Sequence, residues 1–135
     1  TFRENVLLLG LILGKLGGRK LRQKNRKTRC EKRMIPKCKE VCKTYDKVQY
    51  ATADYLALQD EITEIRCNVW LEGLGLDTEY MSDFVCVKRD GDLLVRECVF
   101  RKYLTKPMTA RLLEESRSYW EKHGVTDWGI IIDEE

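Results

Sequence analysis

The sequence predicts one three-layer α/β domain: a helix, a three-strand meander, a crossover helix, and a last strand parallel to the third strand of the meander. Three observations carry this expectation. Residues Phe84 to Lys88 and Leu93 to Phe100 are apolar, strand-forming runs joined by Arg89-Asp-Gly-Asp92, the residues of a tight hairpin turn. Thr105-Lys-Pro-Met opens a segment with Leu112, Leu113, Ser116, Tyr119 and Trp120 at helical spacing, with Thr105 as cap, and His123-Gly124 closes it. Val125-Thr-Asp-Trp-Gly-Ile-Ile-Ile132 is a nearly continuous apolar run, as in the buried middle of a sheet. A strand, a helix and a strand in that order pack as a right-handed parallel unit. The last strand is therefore expected beside the Leu93 to Phe100 strand, enclosing it within the sheet.

The remaining elements follow from the N-terminus. Residues 5–16 are apolar but too short to span a bilayer. The basic cluster follows that run instead of preceding it, and no small-residue cleavage site comes after it, which argues against a secretory signal; the Thr1 start suits an internal fragment. Gly10, Gly14, Gly17 and Gly18 interrupt this region, and residues 19–39 are dominated by Lys and Arg, so residues 1–44 are expected to form a poorly ordered basic arm. Residues 45–135 are expected to form the core domain. Within it, Val48, Tyr55, Leu56 and Leu58 with interspersed alanines fit a helix from Tyr45 to about Asp60. Ile65, Cys67 and Val69 alternate with Glu64, Arg66 and Asn68, a strand from Thr63 to Trp70.

Charge is divided unevenly. Residues 1–48 carry 15 Lys+Arg against 4 Asp+Glu, whereas residues 49–135 carry 10 against 18, so a net +3 conceals a basic arm (+11) on an acidic body (−8). Such an arm suits nonspecific contact with phosphates through Arg19, Lys20, Arg22, Lys24, Arg26 and Lys27; a merely solvated arm is the plainer alternative. The six cysteines include no Cys-x-x-Cys, and His123 is the only histidine, so all six read as reduced thiols of a cytoplasmic protein. Only Cys30, Cys38 and Cys42 are placed to gather around a metal, and they lack a fourth ligand.

Two carboxylates stand out. Asp83 begins one hairpin strand and Glu97 lies in the next, a placement from which both can reach one hard divalent cation. A turn cap and an edge residue are the plainer reading of the same pair. Against it, Glu97 sits in the run Leu93-Leu-Val-Arg-Glu-Cys-Val-Phe100, where an uncompensated charge is costly to bury.

Ser82-Asp-Phe on one strand and a Glu late in the next, in this order of elements, resemble the restriction-endonuclease-like fold. Arg96-Glu-Cys-Val-Phe-Arg-Lys-Tyr-Leu-Thr-Lys-Pro107, then Leu112-Leu-Glu-Glu-Ser-Arg-Ser-Tyr-Trp120, then Gly124-Val-Thr-Asp-Trp-Gly-Ile-Ile-Ile-Asp133 resemble the N-terminal catalytic domain of TnsA, the endonuclease subunit of heteromeric transposases. The resemblance covers about Tyr45 to Asp133. It implies a DNA endonuclease that uses Mg²⁺ or Mn²⁺, held by Asp83, Glu97 and the backbone carbonyl of Cys98, to hydrolyse a phosphodiester at a transposon end. It also implies a partner transposase subunit, an ATPase regulator contacted through a further domain, and no membrane. Two positions depart from the family. Val99 stands where the family has its lysine, and the first helix reads Gln49-Tyr-Ala-Thr-Ala-Asp54 where the family presents a glutamate, leaving Asp54 as the nearby carboxylate. A displaced lysine is sought first at Lys102, with Arg101 and Lys106 as further phosphate contacts. The alternative class is a non-catalytic DNA-binding or assembly module on the same fold, and a zinc-stabilised basic domain comes third. His123 reads as a helix-end cap, Glu114-Glu115 as a solvated face, and Trp70, Trp120 and Trp128 as core or interface.

Overall fold

The computed structural model of the chain describes residues 30–72 and 80–134. The apolar run at 5–16 and the arm residues Arg19 to Lys27 lie outside them. Two short strands, β1 (Glu31–Arg33) and β2 (Cys42–Thr44), pair antiparallel as a hairpin. Helix α1 (Lys47–Ala57) follows, then β3 (Ile62–Leu71), β4 (Tyr80–Lys88) and β5 (Leu93–Val99), a 3-10 turn (Arg101–Tyr103), helix α2 (Pro107–Lys122) and β6 (Asp127–Ile132). The main sheet has the order β3-β4-β5-β6, with β3, β4 and β5 antiparallel and β6 parallel to β5. A mixed α/β fold with a parallel last strand is thus what the residues form.

Each face of the sheet is covered by one helix. On one side, Ala53 and Leu56 of α1 pack with Ile62, Ile65, Phe84, Cys86 and Leu94. On the other, Trp120 of α2 packs with Val69, Met81, Val85, Val87, Leu93 and Val95, and Trp120 is fully buried. Burying a side chain of this kind contributes roughly 1.5–3 kcal/mol.

Four expectations are corrected. Helix α1 is shorter at both ends than Tyr45 to Asp60, because the Asp46 carboxylate accepts from Gln49 N at 2.8 Å and caps the helix there. Thr105 is not the cap of α2: Lys106 occupies that position without a side-chain hydrogen bond, and Pro107 sets the first turn by its fixed φ. Strand β6 is parallel to β5 as expected, yet it is the edge of the described sheet instead of its middle, and Ile130 is 42% exposed. Residues 30–44, assigned to the arm, form the β1–β2 hairpin and the loop within it, and Ile35, Cys38 and Cys42 join the core on the α1 side.

Candidate functional site

The centre of the site is an opening in the sheet. The β4–β5 ladder runs from Val87↔Leu93 to Phe84↔Arg96 and stops there, one step short of Asp83 and Glu97. Two carboxylates take over from the ladder. Cys98 N donates to Asp83 Oδ2 at 2.7 Å, and Asp83 N donates to Glu97 Oε1 at 2.9 Å. Side-chain oxygens thus substitute for the missing carbonyl partners, so the buried N–H groups of the splayed strands remain bonded.

Strand alternation slips at the same point. Phe84 and Cys86 face α1, and Val85 and Val87 face α2. Strict alternation would send Asp83 to the α2 side. Instead Asp83 accepts a hydrogen bond from Gln49 Nε2 of α1, while the neighbouring Ser82 turns to α2. The partner strand is irregular at the same level: Asn68, between the pairs Cys67↔Phe84 and Val69↔Ser82, has φ 55°. Asparagine tolerates that left-handed conformation. Its side chain donates to Lys43 O at 2.8 Å and accepts from Gln49 Nε2 at 3.3 Å.

Gln49 is oriented by four bonds at once. Its Oε1 accepts from Tyr45 N at 2.7 Å, its own N–H is held by Asp46, and its amide nitrogen donates to Asp83 and Asn68. It is therefore Gln49, not Asp54, that α1 presents to Asp83. Asp54 lies elsewhere, in an exposed ion pair with Arg33 at 2.5 Å.

Glu97 is fully buried and faces α2. Its Oε2 accepts from Ser82 Oγ and Ser116 Oγ, both at 2.6 Å. Behind these hydroxyls stand two indoles: Trp120 Nε1 donates to Ser82 Oγ at 2.9 Å and Trp128 Nε1 to Ser116 Oγ at 3.1 Å. Tyr80 adjoins them, its phenol pushed well above its ordinary pKa by burial and then by the charges of Glu97 and Asp83. A buried carboxylate is tolerable when its oxygens are met by donors, as they are here.

The two carboxylates thus approach the opening from opposite faces, Asp83 from the α1 side and Glu97 from the α2 side. Here the oxygens of both carboxylates accept from protein N–H and O–H donors, and α1 presents the Gln49 amide donor to Asp83 instead of a third carboxylate for a hard cation. Cys98, expected to offer its carbonyl, meets Asp83 through its N–H, and its thiol donates to Thr52 Oγ1 at 3.5 Å. Val99 pairs with Ile132 on β6.

The cations named for DNA contact divide into two sets. Those of the arm lie outside the described residues. Arg101, Lys102 and Lys106 are exposed at the turn after β5, where Lys102 Nζ stands 5.7 Å from the Phe100 ring and 5.1 Å from that of Tyr103. Lys106 Nζ lies 5.1 Å from the Tyr103 ring, and Lys47 Nζ lies 5.9 Å from Phe100. Lys102 thus belongs to an exposed cation–aromatic cluster. Among the described residues no helix is long and apolar enough to cross a membrane.

No protein-family model matches the chain, and no curated protein matches it.

The residues that sequence reasoning passed over are Gln49, Ser82, Ser116 and Cys67, whereas Trp120 and Trp128 lie in or against the core as expected. For Ser116 a signal existed: a hydroxyl in the apolar stripe Leu112, Leu113, Ser116, Tyr119, Trp120 implies a buried polar partner. Cys67 is the member of the cysteine group that was missed. Its Sγ lies 3.1 Å from Cys42 Sγ, and Cys38, Cys42 and Cys67 place their sulfurs within 4.8 Å of one another. Cys30 is not in that group.

Proposed function

We propose that the chain is a DNA-binding and assembly module on a restriction-endonuclease-like, TnsA-like core that has exchanged phosphodiester chemistry for structure. One observation carries this reading: Asp83 and Glu97 leave the strands on opposite faces, each held by N–H or O–H donors, with the Gln49 amide where the resemblance calls for a metal-binding glutamate. An amide in that position donates toward Asp83, where a glutamate would offer a metal ligand. Val99 agrees with it, since a valine at this position supplies no ammonium to stabilise an attacking hydroxide. DNA contact then falls to the basic arm and to Lys47, Arg101, Lys102 and Lys106 around Phe100 and Tyr103. By the same resemblance the partner is a transposase subunit that supplies the catalysis.

The metal-dependent endonuclease remains the second reading, favoured by the opening of the β4–β5 ladder at the two carboxylates. One pair of measurements separates the two. On supercoiled plasmid the module is expected to bind with an affinity that falls steeply with salt, without nicking in Mg²⁺ or Mn²⁺, and with affinity unchanged in Asp83→Asn. Nicking that depends on the divalent ion and disappears in Asp83→Asn would overturn the module in favour of the enzyme.

A further inference from the structure

Cys38, Cys42 and Cys67 come from two separate parts of the fold. Cys38 lies in the loop of the β1–β2 hairpin, Cys42 begins β2, and Cys67 lies on β3. Their sulfurs approach within 4.8 Å of one another, and the Cys42–Cys67 pair is 3.1 Å apart. Thiolates bound about 2.3 Å from a zinc ion stand about 3.8 Å apart at tetrahedral angles, within this range. Cys42 is fully buried and Cys38 is 8% exposed, among Ile35, Ala53, Leu56 and Ile65.

The surroundings suit an anionic centre. Arg33 stacks on Tyr50 at 3.6 Å and pairs with Asp54, yet its Nε is buried without a hydrogen-bond partner. Three thiolates around Zn²⁺ carry one net negative charge and around Cu⁺ two, so zinc leaves the smaller charge to bury.

We propose that Cys38, Cys42 and Cys67 hold one zinc ion, with a solvent oxygen as fourth ligand, clamping the β1–β2 hairpin to β3. Binding displaces the thiol protons to solvent, so the metal's affinity becomes stability of the hairpin contact. Cys30 stands apart: it precedes β1 near Tyr45, at the end of the hairpin remote from Arg33↔Cys42.

The test uses the full chain, reduced, reconstituted with Zn²⁺ and freed of excess metal. One zinc per chain is expected, together with slower alkylation of Cys38, Cys42 and Cys67, mapped by peptide mass, and an unchanged rate at Cys30. Co²⁺ in place of Zn²⁺ should give the near-ultraviolet charge-transfer absorption of thiolate ligation. Cys42→Ser and Cys67→Ser should lose the metal and Cys30→Ser should keep it. A wild-type chain that retains no zinc, or whose three thiols alkylate at the same rate with and without it, would overturn the proposal without reference to any variant, as would equal loss in Cys30→Ser.

Discussion

Glu97 and Gln49 show what a buried polar side chain costs and how the cost is offset. Glu97→Ala would leave the Asp83 N–H and the Ser82 and Ser116 hydroxyls without their acceptor, and a loss of about 3–5 kcal/mol is expected in urea denaturation. Glu97→Gln keeps one acceptor oxygen but sets an amide N–H against either Asp83 N or the two hydroxyls, so it should destabilise less, by about 1–3 kcal/mol. Gln49→Glu is isosteric yet replaces the donor at Asp83 with a second carboxylate, and a fall of about 1–3 kcal/mol at neutral pH is expected. If Gln49→Glu were as stable as the parent without added metal, the role given to the amide would be wrong. Gln49 was hard to find from sequence because Asp83 sits where strand alternation slips, and a period-two reading points its side chain to the opposite helix.

At the level of elements, the hairpin and helix α2 were legible because turn chemistry and helical period are local. The Asp90-Gly91 turn and the Pro107 start lie where the residues place them. Gly124, at φ +83° after the His123 C-cap, bears this out. Gly124→Ala is expected to lower stability by about 1 kcal/mol in thermal unfolding through backbone strain alone, since nothing lies within 4 Å of the added Cβ. The exposure of β6 was not legible, because an apolar run says nothing of what lies beyond it in the sheet. Its start is fixed instead by Asp127, which takes Lys88 at 3.0 Å and Arg96 at 2.8 Å. Burial opposes ionisation of this carboxylate, but the bonds from Lys88 and Arg96 prevail and hold its pKa below the ordinary value. A depressed carboxylate stabilises the fold above its unfolded value near pH 4 and loses that contribution as pH falls through the folded one. Asp127→Asn should therefore cost under about 1 kcal/mol at pH 7, given its partial exposure, and converge with the parent in acid.

For the whole molecule, charge was legible and assembly was not. The basic excess reads directly from the first 48 residues, but the hairpin carrying Cys38 and Cys42 belongs to the core, which only the long-range packing against α1 and β3 reveals. Removing residues 1–29 should therefore flatten the salt dependence of DNA binding, whereas removal through residue 48, which takes the β1–β2 hairpin and the start of α1, should unfold the domain; calorimetry beside a salt titration checks both deletions. The tryptophans extend this long-range dependence to light emission. Trp120 and Trp128 each donate to a serine hydroxyl that rests on Glu97, and those bonds exist only while α2 and β6 are docked against β4 and β5. Two indoles on separate elements thus report on one carboxylate, and beside the emission of Trp70 their fluorescence becomes an optical gauge of whether α2 and β6 remain docked around it.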